Sequence, residues 1–346
     1  MKDFKSKLAV VTGGASGVGF AISELLVKEG AKVILADIEE KTLEESKNRL
    51  LDLSQDVDCK VADVSNANSM HELADWCQSN HGPVHLLFNN AGVAPAELLP
   101  IWETKPNDWQ WAYGVNVMGV LHGIQAFVPR MLAHGEDSRV INTCSGNGAF
   151  INLPSTPIYT SSKASVSSIS EVLKLQLEQA NANVKVSILF PGPHTVRTNL
   201  FSAERNRPEE LARDPNAPEH PISSVEDMIE MMSSMGIEME TTEPDEVAVF
   251  CLSEIKKGNY WINPKNEKSE QAFKDRVESI INRSDLPNPN IEYTDIEFIH
   301  YDWVGDIDDA DNICCDQYDF SHDFHAMREP AVYYDCHGDT GGVQRT

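Results

Sequence analysis

The sequence predicts an α/β protein in which a doubly wound parallel sheet carries helices on both of its faces. Short apolar runs rich in valine, isoleucine and leucine alternate, over the first 190 residues, with longer segments of helical periodicity. One helix-length segment separates each run from the next, which is typical of strand–helix–strand crossovers between parallel strands. The first run also ends in glycines, as expected where a strand turns sharply into a helix.

The individual elements follow from these patterns. Strands are predicted at residues 8–11, 32–37, 59–63, 84–88, 139–143, 184–189 and 259–262, because each run is short and largely apolar. Helices are predicted between the strands, notably at 109–132, at 159–179 and from residue 245. Residues 193–240 are polar, contain proline and are rich in methionine, which favours a lid over the substrate. The lid methionines either pack a helix on the core or form an adaptable apolar wall for a bulky ligand.

The domain organisation is predicted from a shift in composition near residue 287. A Rossmann-type catalytic domain is expected at 1–265, including the lid, with a closing helix at 266–284 and an acidic extension at 285–346. The extension holds 15 acids and two bases, half of the net charge of −26. Its residues 291–301 partly alternate and are aromatic, which favours an edge strand or a contact with a neighbouring subunit.

Cysteine and histidine side chains in the extension resemble a metal-ligand set by type, but their spacing matches no such site. An acidic surface extension is therefore the preferred interpretation, and no metal is expected. The residues concerned are Cys314, Cys315, His322, Asp323, His325, Cys336 and His337.

Composition and charge exclude several classes of protein. The 346 residues are 41% hydrophobic and 24% charged, which is ordinary for a globular chain. The net charge argues against a nucleic acid or an anionic membrane surface as partner, because both bind basic faces. No apolar run is long enough to span a bilayer and no signal peptide is evident. The seven scattered cysteines are interpreted as reduced thiols, so a cytoplasmic location is expected.

A glycine-rich motif follows the first predicted strand. Glycines let backbone N–H groups approach a pyrophosphate, and the N-terminus of the following helix offers the positive end of its dipole. The motif therefore predicts a dinucleotide site, with an ordinary strand–helix turn as the alternative. Its residues are Thr12, Gly13, Gly14, Ala15, Ser16, Gly17, Val18 and Gly19.

An acidic residue, Asp37, ends the second predicted strand. A carboxylate there accepts hydrogen bonds from the ribose hydroxyls of NAD and repels the 2′-phosphate of NADP. Ser16, rather than a basic residue, stands in the glycine loop, which also favours NAD. The alternative is that Asp37 only caps the helix that follows.

Two further strand ends carry candidate cofactor contacts. Asp63 and Val64 end the third strand, where an adenine contact is expected; the alternative is a plain N-cap of the next helix. Asn90, Ala91 and Gly92 follow the fourth strand together with Asn89, where small residues allow close approach of the cofactor and asparagine side chains pin neighbouring strands. The alternative is a simple turn.

The pair Tyr159-x3-Lys163 lies at the start of a predicted helix. Residues four apart share one helical face, so a lysine ammonium is expected to lower the pKa of the tyrosine phenol towards the working range of a general base. The pair follows the strand that ends in Asn142-Thr143-Cys144-Ser145, and that strand end is where substrate is expected.

In order and spacing together, these motifs resemble the classical short-chain dehydrogenases/reductases over about residues 5–265. The matching residues are the Thr12 glycine motif, Asn89-Asn90-Ala91-Gly92, Asn116, Ser145, Tyr159-x3-Lys163 and Pro191-Gly192. The resemblance implies Tyr159 as acid/base, Ser145 as partner of the substrate oxygen, Lys163 on the nicotinamide ribose and Asn116 holding a water of the proton relay.

The resemblance also implies contacts with the nicotinamide. Pro191 and Gly192 are expected beside its ring, and Thr195 is preferred over Thr198 for its carboxamide, although neither has the commonest offset. His194 is interpreted as a lid-hinge residue rather than a second base. Residues 114–131 are similar to bacterial Cα-dehydrogenases of lignin-derived aryl ethers, a subgroup that acts on bulky secondary alcohols.

The function predicted from the sequence is therefore NAD-dependent interconversion of a secondary alcohol and a ketone, with a bulky apolar or aromatic substrate. Two alternatives stay open: an NADPH-dependent carbonyl reductase, and a non-catalytic binding protein on the same fold. The resemblance further implies a homodimer or homotetramer formed through the helices at about 109–132 and 159–179.

Overall fold

A computed structural model describes residues 1–97, 99–216 and 221–287 of the chain. Nine strands are present in this part: β1 Leu8–Thr12, β2 Lys32–Asp37, β3 Val57–Val61, β4 Leu86–Asn89, β5 Ser138–Thr143, β6 Val184–Leu189, β7 Thr195–Val196, β8 Thr241–Thr242 and β9 Trp261–Ile262.

The helices of the described residues alternate with these strands. They are α1 Gly17–Lys28, α2 Glu40–Leu51, α3 Ala67–Asn80, α4 Pro106–Tyr113, a π-helical turn at Gly114–Met118, α5 Gly119–His134, α6 Gly146–Ala149, α7 Pro157–Gln179, 3₁₀ turns at Asn199–Asn206 and Glu209–Leu211, α8 Val225–Ser234, α9 Pro244–Lys257 and α10 Glu267–Asn282.

Seven strands form one sheet in the order β3-β2-β1-β4-β5-β6-β9, and every pairing in it is parallel. Strand order reverses between β1 and β4, where a doubly wound sheet opens a crevice at its carboxyl edge. This confirms the predicted fold class. A second pairing of β7 with β8, which the sequence did not indicate, ties residue 195 to residue 241.

Both faces of the sheet are covered, because side chains alternate along each strand. Ala9 and Val11 of β1 belong to a core with α1 and α9, whereas Leu8 and Val10 belong to a core with α3 and α5. A strand buried on both faces needs apolar residues throughout, which explains the continuous apolar run of β1.

Some predicted boundaries were wrong. The third strand ends at Val61 rather than at residue 63, because β3 is the edge strand and its half-exposed side chains carry little apolar pattern. The helix predicted at 109–132 begins at Pro106 and ends at His134, and a π-helical turn interrupts it at Gly114–Met118. The segment 193–240 contains five methionines: Met228, Met231, Met232, Met235 and Met239. The first three lie in α8, and among the five Met232 alone is buried.

The acidic extension beyond residue 287, with its aromatic segment and its cysteine and histidine residues, lies outside the described residues. Within the described residues, no helix has both the length and the apolar character that crossing a membrane requires.

Candidate active site

The carboxyl ends of β1, β2 and β4 bring the predicted cofactor residues together. Hydrogen bonds of Thr12 join two strand ends: its Oγ1 donates to the Phe88 carbonyl at 3.1 Å and accepts from the backbone N–H of Asn90 at 3.0 Å. The Asn90 amide in turn donates to the Thr12 carbonyl at 3.2 Å. Thr12 and Asn90 therefore lock the glycine loop onto the loop after β4.

The glycines of this loop are required by its geometry. Gly13 and Gly17 have φ angles of +63° and +53°, which favour glycine. A Cβ on Gly19 would lie 2.1 Å from the Gly13 carbonyl oxygen, so that only glycine lets α1 start directly behind the turn. Ser16 is the N-cap residue of α1 but makes no side-chain capping bond, and Val18 is buried beneath the turn.

Asp37 lies beside the glycine loop, at the end of β2. Its Oδ2 accepts from the Ala15 N–H at 3.1 Å and its Oδ1 from the Glu39 N–H at 3.2 Å. Burial raises its pKa from the ordinary value, while those two backbone bonds act against the rise. Both carboxylate oxygens of Asp37 are thus held by backbone N–H groups, and the N-cap residue of α2 is Glu39 rather than Asp37, so the capping alternative was wrong.

Arg205, from the segment predicted as a lid, forms an ion pair near the end of β2. Arg205 Nη2 and Asn206 Nδ2 both donate to Glu39 Oε1 at 2.6 Å, and these bonds lower the pKa of Glu39 against the effect of its burial. The sequence did not indicate this contact, because about 166 residues separate the partners. The Arg205 guanidinium is therefore paired with the carboxylate of Glu39, two residues after Asp37.

The third strand end is built differently from the expectation. Asp63 accepts from the N–H and Oγ of Ser65 at 2.9 and 2.7 Å, and the N-cap of α3 is Asn66 rather than Asp63. Val64 packs on Gly119, where a Cβ would lie 2.8 Å from its side chain. The N-cap alternative for Asp63 was therefore wrong, and the adenine contact stays a prediction.

The expected pinning of strands by asparagine is confirmed. Asn89 Nδ2 donates to Asn142 Oδ1 at 2.8 Å, which joins the ends of β4 and β5. Asn142 Nδ2 then donates to Ser170 Oγ of α7 at 3.0 Å. This chain of amide bonds holds the helix that carries Tyr159 against the sheet.

The four predicted catalytic residues come together at the end of β5. Ser145 follows that strand, and its side chain is close enough to Tyr159 to act on the pKa of the phenol, which it lowers. Lys163, only 4% exposed, donates from Nζ to the Thr143 carbonyl at 3.1 Å, and Nζ lies 5.6 Å from the centre of the Tyr159 ring. A Cβ on Gly92 would touch both Asn116 Oδ1 and Lys163 Nζ, at 3.4 and 3.5 Å.

Asn116 is bonded to the loop after β4. Its Nδ2 donates to the Val93 carbonyl at 2.9 Å and to Ser162 Oγ at 3.0 Å, and its Oδ1 accepts from the Val93 N–H at 2.8 Å. The π-helical turn at Gly114–Met118 presents this side chain to the loop. Its role as a water ligand stays a prediction.

The pKa of Tyr159 moves in the direction opposite to the one expected from Lys163. Desolvation raises it to about 12, and the Ser145 hydrogen bond acts against that rise. The same desolvation lowers the pKa of Lys163. Desolvation favours the uncharged forms of both groups, so the pair does not by itself produce a phenolate.

A buried carboxylate that sequence reasoning missed, Glu97, lies beside Tyr159. It is 9% exposed and accepts from the backbone N–H groups of Ile158 at 2.6 Å and Tyr159 at 2.9 Å. Burial raises its pKa to about 7. Nothing in the spacing of the sequence indicates it, because backbone donors leave no sequence pattern.

The predicted nicotinamide end follows β6. Pro191 and Gly192 follow the strand after Phe190, and Thr195 lies in β7, paired with Thr241. The methyl group of Thr198 instead faces Gly17, where a Cβ would lie 3.0 Å away. The His194 ring lies 3.2 Å from a carboxylate oxygen of Glu240, next to the β7–β8 pairing, which is consistent with the hinge interpretation. The choice of Thr195 stays a prediction.

The residues around the glycine loop fit a dinucleotide. A tight turn with two positive φ angles opens α1, an oriented carboxylate lies at the neighbouring strand end, and a buried lysine lies behind the fourth and fifth strands. Among the described residues, no group of three or more histidine, cysteine or acidic side chains is arranged to hold a metal ion.

Comparison with known proteins agrees with this geometry. The model of the family described as short chain dehydrogenase matches residues 7–209, and the chain therefore belongs to that family and is an oxidoreductase. A C alpha-dehydrogenase from Sphingobium sp. is 30% identical over 271 residues, which cover 78% of this chain and 84% of that protein.

Solved structures give the same result. A short chain dehydrogenase/reductase from Burkholderia phymatum in complex with NAD is 34% identical with a TM-score of 0.74, over 84% of this chain and 99% of that one. A metagenomic short-chain oxidoreductase in complex with NADP is 28% identical with a TM-score of 0.51, over 55% and 83% of the two chains. The fold of this family therefore accommodates either dinucleotide.

Proposed function

We propose that this protein is an NAD-dependent dehydrogenase that interconverts a secondary alcohol and a ketone, with Tyr159 as its acid/base. The observation that carries the proposal is the convergence of Ser145, Tyr159 and Lys163 at the end of β5, next to the glycine loop. When bound, the nicotinamide takes up or releases the hydride, and its oxidised form adds a positive charge that favours the phenolate.

The side chains of this protein then divide the remaining work. In the oxidation direction, Tyr159 as phenolate takes the proton of the alcohol while two electrons leave the carbon with the hydride. Ser145 donates a hydrogen bond to the substrate oxygen as its charge changes. Lys163 would hold the nicotinamide ribose, and Asn116 keeps the loop after β4 in place.

The preference for NAD over NADP rests on charge at the end of β2. Asp37 ends β2, where the family resemblance implies the adenosine ribose, and a carboxylate there would repel a 2′-phosphate; the nearby Glu39 already pairs with Arg205. The NADPH-dependent reductase remains the second candidate, since a similar short-chain oxidoreductase is in complex with NADP. Thermal-shift measurements with NAD, NADH, NADP and NADPH separate the two, because a ligand that binds the native state raises its melting temperature. A larger shift with NADP(H) would reject the preference, and no shift with any of them would favour a non-catalytic protein.

The proposed substrate is a bulky apolar or aromatic secondary alcohol. Support comes from the C alpha-dehydrogenase relative, which matches most of both chains, and from the methionine-rich segment around α8. A screen of aliphatic, aryl and polycyclic secondary alcohols with NAD, followed at about 340 nm, tests the class. Faster turnover of small aliphatic alcohols than of aryl ones would contradict it.

The role of Tyr159 is tested by Tyr159→Phe. Removing an acid/base is expected to lower kcat by a factor of about 100 or more, with NAD binding unchanged. Tyr260→Phe is the matched control, because the Tyr260 hydroxyl is buried without a hydrogen-bond partner among the described residues. A Tyr159→Phe enzyme that keeps its rate would refute the assignment.

The proposed assembly is a homodimer or homotetramer through α5 and α7, where Leu132, Val172 and Leu175 are exposed. Light scattering after gel filtration tests it, and a monomer at micromolar concentration would contradict it. A cytoplasmic location, the absence of a nucleic-acid or membrane partner, and the division into a lid at 193–240, a closing helix at 266–284 and an acidic extension stay predictions.

A further inference from the structure

The first turn of α7 lacks a cap of its own. Its N-cap residue, Thr156, makes no side-chain capping bond, because Thr156 Oγ1 instead accepts from Asn147 Nδ2 at 2.8 Å. Pro157 has no N–H, and the N–H of Thr160 is the first to bond within the helix. The N–H groups of Ile158 and Tyr159 are therefore left to find acceptors elsewhere.

Glu97 supplies both acceptors from a different part of the chain. One carboxylate oxygen takes the Ile158 N–H at 2.6 Å and the other takes the Tyr159 N–H at 2.9 Å, across a separation of about 60 residues. A buried carboxylate is costly, and the favourable dipole end of a helix offsets part of that cost. The contact also ties the loop after β4 to the helix that carries Tyr159 and Lys163.

We propose that Glu97 is a positioning residue of the reaction, which holds the Tyr159 hydroxyl in place through the first turn of α7 and acts on that hydroxyl through its own charge. This inference rests on the proposed role of Tyr159. The ionised carboxylate raises the pKa of Tyr159 through space, in addition to the larger effects of desolvation and of Cys144.

The charged groups around Glu97 come from three other elements. Asp108 of α4 raises its pKa further, after desolvation, while the two backbone bonds lower it. Arg207 in the lid pairs with Asp108 at 2.7 Å and with Glu204 at 3.3 Å, and Glu204 accepts from the Ala96 N–H at 3.3 Å. Burial and the charge of Asp108 therefore both raise the pKa of Glu97, and Arg207 partly balances the charge of Asp108.

The test compares Glu97→Gln and Glu97→Asp with Glu103→Gln, a control in the same loop whose carboxylate contacts the neighbouring Trp102. Oxidation of 1-phenylethanol, or of the best alcohol from the screen, is followed from about pH 6 to 10 with saturating NAD. For Glu97→Gln, loss of the negative charge is expected to move the ascending limb of kcat/KM to lower pH by about half a unit or more. Loss of one backbone bond is expected to lower kcat about tenfold while the KM for NAD stays within about twofold.

Glu97→Asp keeps the charge but is too short to reach both N–H groups. For this variant the ascending limb of kcat/KM is expected to stay at the same pH as in the wild type, while kcat falls. A Glu97→Gln limb that coincides with the wild-type limb would overturn the electrostatic part of the inference, and an unchanged kcat in Glu97→Asp would overturn the positioning part. If Glu97→Gln does not fold, Glu97→Asp alone decides through kcat.

The outcome is separable from that of the proposed function. An active Tyr159→Phe enzyme refutes the acid/base assignment. If Tyr159→Phe is inactive but the ascending limb of kcat/KM in Glu97→Gln stays at the wild-type pH, only the inference about Glu97 is refuted. If no alcohol is oxidised, amide hydrogen exchange decides without turnover. Exchange at Ile158 and Tyr159 is expected to be at least about tenfold faster in Glu97→Gln than in Glu103→Gln, and equal rates would overturn the proposal.

Discussion

Replacing Glu97 by glutamine should change how the stability of the protein depends on pH. The pKa of Glu97 is about 7 in the folded protein, against an ordinary value of 4.5, because the carboxyl group is buried. Between these two values the folded state holds a proton that the unfolded state has lost. The contribution of Glu97 to the free energy of unfolding is therefore fully present below about pH 4.5. It is lost as the pH rises towards 7 and changes no further above that pH.

The magnitude follows from the linkage relation. Each pH unit in that window costs about 1.4 kcal/mol, so the whole window corresponds to about 3 kcal/mol. Since the chain has an isoelectric point of about 4.7, measurement is practical above about pH 5.5, where about 2 kcal/mol of the effect remains. Glutamine does not titrate, so the variant should gain about that much relative to wild type between pH 5.5 and 7.5.

Urea unfolding followed by tryptophan fluorescence gives the free energy of unfolding at each pH. The quantity to compare is the difference between Glu97→Gln and wild type, because every other titrating group contributes equally to both chains. The lost backbone hydrogen bond shifts this difference by a constant and leaves its slope unaffected. Glu103→Gln should show no slope, and a Glu97→Gln difference that is flat with pH would refute the reasoning.

Two further predictions concern the buried charges. Arg207→Met should lower the free energy of unfolding by about 3 kcal/mol, because the guanidinium is 4% exposed and its loss leaves Asp108 without its partner. Adding Asp108→Asn should restore part of the lost stability. An Arg207→Met variant with the wild-type free energy of unfolding in urea would contradict this. His85 has a pKa lowered mainly by burial, against the effect of Glu136, so its contribution to stability is present above about pH 6.5 and is lost as pH falls below it. His85→Gln should remove this loss of stability at acid pH. If the free energy of unfolding depends on pH in the same way in His85→Gln and in wild type, His85 does not take up a proton on unfolding.

Local pattern was sufficient for the fold and for most of the predicted site. Strands that are buried on both faces are largely apolar, and the predicted strands at residues 32–37 and 184–189 coincide with β2 and β6. The glycine loop was also readable, because positive φ angles and a Cβ-free approach require glycine itself. The prediction of strand boundaries failed where burial on both faces is not required, as at the edge strand β3, whose side chains are half exposed.

Tertiary contacts decided what no local pattern records. The expected effect of Lys163 on Tyr159 was reasoned from spacing along a helix, but the pKa depends on how much water surrounds both groups, and burial prevails. The hydrogen bonds of Glu97 and of Arg205 join residues about 60 and 166 positions apart. Neither a backbone N–H group nor a single acidic residue indicates in the sequence which distant group it will bind.

The sequence by itself determined the order of strands and helices, the glycine loop and the identities of the residues gathered at the end of β5, since these depend on periodicity and on residue type. Only the tertiary structure decided the electrostatic state of Tyr159 and the carboxylate that caps its helix. Both are set by desolvation and by contacts across the sheet's carboxyl edge, which are properties of the packed molecule rather than of any segment.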